Sequence, residues 1–145
     1  MSKGLLSGGS GVPIIRLGDT LVVSVQEALH DRLALALQED ITSALGRTGA
    51  AALLIDVSVI DIVDSFMGRM INDIAAMAQL MGARTALVGI QPAVAVTLTE
   101  LGLELHGVVT ALNVEQGLAR LAAQAAGDRA RGAAGRIIRR GPRHG

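Results

Sequence analysis

The chain has 145 residues, half of them hydrophobic and 18% charged, with basic and acidic side chains in balance. That supplies apolar material for one domain with a core and does not suit a disordered chain. The absence of cysteine excludes disulfide frameworks, thiolate metal sites and cysteine nucleophiles, and one phenylalanine with no tryptophan or tyrosine leaves no base-stacking platform for single-stranded nucleic acid.

The neutral total hides a division. Residues 128–145 hold six arginines and one aspartate, a net of +5, while residues 1–127 carry a net of −5. The opening MSKGLLSGGSG has no apolar run of signal-peptide length. The longest uncharged run, 85–99, is 15 residues and contains Pro92, against the roughly 20 apolar residues that a membrane span needs. A cytoplasmic protein with no membrane association is expected.

In chain order, residues 1–11 are small and glycine-rich and read as a flexible lead. Val12–Leu17 and Thr20–Val25 read as strands joined by a Gly18-Asp19 hairpin turn. His30–Leu45 is predicted helical, with Leu33, Leu37, Ile41 and Leu45 four residues apart and Gly46 as its stop. Ala51–Val57 is a buried strand, Phe66–Met81 a helix ended by Gly82, and Thr85–Ile90 a second buried strand. Pro92 opens a helix over Ala93–Leu101, His106–Ala111 forms a short strand, and Val114–Ala125 a last helix packed through Leu118 and Leu121. From Gly127 onward periodicity fades and a disordered basic tail, 127–145, is expected. The domain proper is then 12–126. Its pattern gives an α/β fold: a mixed sheet with an opening hairpin, helices against it, and parallel strands after the hairpin.

Ser65 is the foremost candidate for chemistry. It falls at the start of the second helix, where unpaired N–H groups and the positive dipole end favour an added phosphate, and Asp61 and Asp64 lie beside it. The competing reading is a helix cap or first-turn serine. Thr97, in AVTLTELG, reads from its position as a helix threonine bonding back to its own backbone. Met67, Met70, Met77 and Met81, with Ile74, form a stripe that packs on the sheet, docks a partner, or divides between the two. Asp56, Asp61, Asp64 and Asp73 allow a magnesium site by residue type, but turn and cap roles explain them better, so no metal is expected. His30, His106 and His144 have no ligand spacing. SGGSG at 7–11 precedes a strand instead of following one, so it is not a nucleotide loop. Catalysis and cofactors are not expected.

The segments IVDSFMGR, GIQPAVAVTL and TALNVEQGL resemble a STAS domain, more narrowly the RsbS-type stressosome scaffold among the anti-sigma-factor antagonists; the resemblance covers about residues 12–125. It implies that Ser65 is phosphorylated by an RsbT-type serine/threonine kinase, and that Thr97 lies near where related paralogues carry a second phosphorylated residue, a position for which Thr99 competes. The unphosphorylated scaffold holds that kinase with sensor-bearing RsbR-type paralogues, phosphorylation releases it, and a PP2C-type phosphatase resets the site. It further implies homodimers within a large assembly and no specific nucleic acid. The kinase-facing surface is then expected at Asp61, Asp64, Ser65, Phe66, Met67, Arg69 and Met70. The alternative is a simple anti-sigma-factor antagonist that binds an anti-sigma kinase directly. The resemblance does not cover the arginine-rich tail.

Overall fold

The computed structural model describes residues 3–6, 8–27, 29–60, 64–102, 105 and 107–139. Among the described residues six strands form one sheet in sequence order: β1 (Lys3–Leu6), β2 (Ile14–Leu17), β3 (Thr20–Ser24), β4 (Ala52–Asp56), β5 (Arg84–Val88) and β6 (Val108–Ala111). β1 to β3 run antiparallel, and β3 to β6 are parallel. Gly18 has φ 59 at the first position of the β2–β3 turn, where a two-residue type II′ hairpin calls for glycine.

Four helices of the described residues cover the sheet: α1 (Asp31–Thr48), α2 (Ser65–Leu80), α3 (Pro92–Glu100) and α4 (Val114–Arg139). The strand period of two divides the core. Leu21, Val23, Leu53, Ile55 and Leu87 face the cluster that holds Leu37, Ile41, Ile74 and Val94 of α1, α2 and α3. Val22, Leu54, Ala86 and Val88 face the opposite way, against Leu121 of α4. Leu53 and Leu54 are fully buried on opposite faces, as the continuous apolar run required; burial of each such side chain stabilises by about 1.5–3 kcal/mol. Gly117 lets α4 approach closely, because a Cβ there would lie 2.5 Å from Val88 Cγ1 and 2.9 Å from Leu54 Cδ1.

Three sequence expectations are corrected. The expected flexible lead 1–11 contains β1, an edge strand on β2. The loop after it is tied down as well: the Gly9 and Ser10 N–H groups donate to the Asp40 carboxylate at 3.0 and 2.9 Å. α1 continues through Gly46, which is exposed on a helix surface, and ends at Gly49, whose φ of 64 makes it the left-handed cap. The expected tail from Gly127 is helical as far as Arg139, as a continuation of α4. Asp128 explains the continuation. It accepts from Arg84 Nε at 3.1 Å and also pairs with Arg84 Nη2 and Arg131 Nη2. Arg84 opens β5, so this contact fixes α4 to the edge of the sheet where the strand begins.

Candidate functional site

The β4–α2 connection leaves the sheet at the carboxyl ends of its parallel strands. After β4, the Val57 N–H donates to the Val88 carbonyl at 3.0 Å, and Asp56 accepts from the Ser58 N–H at 2.9 Å to form a tight turn. Gly89 lies against that turn with φ 81, and a Cβ on it would meet Ser58 Cβ at 2.6 Å. Gln91 Nε2 donates to the Ser58 carbonyl at 3.3 Å. Gly89 and Gln91 were not singled out from sequence; their signal is the G-I-Q-P run, in which a left-handed glycine precedes the proline that starts α3.

Asp61 lies outside the described residues. The chain re-enters at Asp64, which caps α2: its backbone is extended and its Oδ1 accepts from the Met67 N–H at 2.9 Å. Such a cap is worth about 1 kcal/mol. Ser65 is therefore the first helical residue and not the cap. It is half-buried, and among the described residues no side chain hydrogen-bonds its hydroxyl. Arg69 is exposed four residues on, the spacing at which helix side chains meet. Phe66 is half-buried against the core.

The expectation that Met67 belongs to a partner surface is corrected. It is 2% exposed and sits in the core between α2 and the sheet. Met70 is also buried, yet it borders a surface groove. The methionine stripe thus serves packing at Met67 and Met70, grades to partial exposure at Met77, and surfaces only at Met81.

A model of the STAS domain matches residues 12–117. The chain belongs to the STAS domain family. Within it, the chain is of the RsbS type. It is 38% identical to RsbS from Moorella thermoacetica carrying one serine-to-glutamate substitution, with a TM-score of 0.69 over 79% of this chain and 97% of that one. It is 41% identical to a chain of a stressosome structure described as a signal integration and transduction hub, with a TM-score of 0.69 over 78% of this chain and 98% of that one. It is also 27% identical over 107 residues to the RsbT co-antagonist protein RsbRA of Bacillus subtilis, covering 73% of this chain and 39% of that protein. The chain thus spans well under half the length of the curated relatives it matches.

In this STAS domain Thr97 and Thr99 lie on α3. Their hydroxyls donate to the Ala93 and Ala95 carbonyls, both at 3.0 Å, which is the back-bonded arrangement. Thr97 is half-buried and Thr99 exposed. His30 caps α1, its Nδ1 accepting from the Leu33 N–H at 3.4 Å; His106 and His144 lie outside the described residues. Among the described residues no three His, Asp or Glu side chains gather as metal ligands, and no helix is long and apolar enough to cross a membrane. Asp56 and Asp64 have turn and cap roles instead.

A feature absent from the sequence reading is a groove between α1 and α2. Leu35, Phe66 and Met70 line one end, of about 410 Å³, with Asp31, Arg69 and Asp73 around it. The lining continues past Leu35, Gln38 and Asp73 to Glu39, Thr42 and Met77. Leu35 is 62% exposed there. No periodicity reveals such a groove, because it forms only where two helices 30 residues apart in sequence pack side by side.

Proposed function

We propose that this STAS domain is a cytoplasmic, phosphorylation-controlled stressosome scaffold, a binding platform and not an enzyme. It sequesters an RsbT-type serine/threonine kinase together with RsbR-type paralogues, as a homodimer within a larger assembly. The observation that carries this reading is the placement of Ser65. Asp64 holds the cap, so the serine hydroxyl is committed to no described partner at the positive end of α2.

The kinase transfers the γ-phosphoryl of ATP to Ser65 Oγ; the hydroxyl proton passes to the kinase's base and ADP leaves. The product adds about −1.5 to −2 charges at pH 7. That charge sits against the exposed Asp64 carboxylate and within one helical turn of Arg69. The surface around half-buried Ser65, made by exposed Asp64 and Arg69 with Phe66 beside them, is thereby altered in both charge and shape, and the kinase is released. A PP2C-type phosphatase removes the phosphate. Similarity to RsbS, to the stressosome structure and to an RsbT co-antagonist supports this partner set.

Phosphosite mapping after incubation with ATP and an RsbT-type kinase tests the first step, and is expected to find phosphate on Ser65 that is lost in Ser65→Ala. Calorimetry tests the second. Ser65→Ala is expected to retain the kinase, and Ser65→Asp to bind it about tenfold more weakly, roughly 1.4 kcal/mol. Equal affinity of the two variants would sink the switch.

A further inference from the structure

Among the described residues, β1 is fastened to the domain by its ladder with β2, by Leu6 against the core, and by the Asp40 carboxylate. The first two are slight. The ladder is four residues long at the edge of the sheet, and Leu5 is 67% exposed. β1 and the turn that follows it also precede the family match, which begins at 12.

The turn is shaped around Asp40. The Gly11 N–H donates to the Gly8 carbonyl at 3.2 Å, which closes residues 8–11, and Gly11 takes the left-handed φ of 75 that favours glycine. The N–H groups of Gly9 and Ser10 and the Ser10 hydroxyl all donate to the one carboxylate on α1. Ser10 Oγ in turn accepts from the Val12 N–H at 3.1 Å. Hydrogen bonds to an ionised acceptor are about twice as strong as neutral ones. Gly8 permits the approach: a Cβ there would lie 2.7 Å from Asp40 Oδ2 and closer still to Oδ1 and Cγ.

The β2 edge under β1 is a ready template. The Ser24 N–H donates to the Pro13 carbonyl, so odd positions of β2 turn their main-chain groups to β3 and even positions turn theirs to β1. With β1 lifted, Ile14 and Arg16 would present bare N–H and C=O groups. The segment that fits them, with Leu6 opposite Ile14 and Gly4 opposite Arg16, is β1 itself. A second copy of the chain carries the same segment.

We propose that the Asp40 clasp is a latch on β1. Closed, it keeps the strand on its own β2. Opened, it lets β1 swing out on the glycine turn and pair with β2 of a second copy, an exchange of identical elements between protomers. The latch goes beyond the kinase reading and works whether or not Ser65 is modified.

The chain has no cysteine, so exchange can be trapped with introduced ones. Leu5 and Ile15 are opposite each other in the β1–β2 register. Copies carrying Leu5→Cys are mixed with copies carrying Ile15→Cys and oxidised, and a disulfide between positions 5 and 15 is sought by peptide mass spectrometry. It joins two molecules only where β1 of one lies on β2 of the other. Asp40→Ala in both copies is expected to raise its yield about tenfold. Gly8→Ala, which displaces the carboxylate while keeping it, is expected to do the same. Amide exchange on Asp40→Ala in dilute solution is expected to show protection about tenfold lower at Ile14 and Arg16 and unchanged at Ile15 and Leu17. A crosslink yield that neither variant raises would overturn the proposal. So would protection that holds at all four amides, or that falls at all four, which would make Asp40 a support of the whole sheet. Gly8→Ala decides the matter alone where Asp40→Ala fails to fold.

Discussion

Gly117 shows how one residue of a motif can be read for shape. In T-A-L-N-V-E-Q-G-L it looks like a weak point in a helix, yet it is the position that brings α4 onto Val88 and Leu54. Gly117→Ala is expected to lower stability by about 1–3 kcal/mol, since the added methyl must displace core side chains; thermal denaturation would read this as a lower Tm. An unchanged Tm would mean that Val88 and Leu54 can turn aside freely. At Ser65 the sequence offered two readings, cap or free hydroxyl, and only coordinates separate them. Aspartate and serine are both good caps, they are adjacent, and the cap is whichever carries the extended backbone. Here Asp64 does. Met67 and Met70 were ambiguous for a similar reason: adjacency to Ser65 in sequence says nothing of direction, and both side chains turn inward.

Among the described elements, the apolar patterns and turn signals located every strand except β1 and all four helices, to within a few residues at most boundaries. The misses have physical causes. β1 is four residues of K-G-L-L with no alternation to detect, and its partner lies across a glycine-rich loop clasped to Asp40. The end of α4 from Gly127 to Arg139 contains three glycines and so reads as coil. Its helix is set by the Arg84–Asp128 contact, 44 residues apart in sequence. That contact carries a pH signature. The Arg84 hydrogen bond, and then that of Arg131, holds the Asp128 carboxyl below its ordinary range. A lowered folded value stabilises the charged form. Its contribution is therefore complete above the unfolded value of about 3.9 and is lost as pH falls through the folded one. The protection factors of the amides in residues 129–139, taken against the intrinsic exchange rate at each pH, are expected to be steady from neutral pH down to about 5 and to fall below about 4. Asp128→Asn is expected to show weaker protection at neutral pH and no such acid step; an unchanged profile would detach this stretch from the pair.

The whole molecule presents large apolar side chains at several separate places: Leu5 on β1, Leu80 at the end of α2 and Leu112 before α4 are 67%, 90% and 76% exposed. Such a distribution suits a subunit with neighbours on more than one side. Mixing the protein with an RsbR-type paralogue is accordingly expected to yield a megadalton-scale particle by light scattering. Elution of the two as separate small species would count against the assembly.

The order of strands has a consequence for how the domain is made. Each strand lies beside the one that precedes it in the chain, from β1 to β6. No strand must wait for a later segment to be inserted between it and its neighbour. The sheet can therefore grow in the direction of synthesis, one strand at a time, with each crossing helix following the strand before it. Pairings between sequence neighbours close short loops and fold quickly. A nascent chain emerging from the ribosome always has its next template already in place, and the edge that is open to wrong partners is never more than one strand wide.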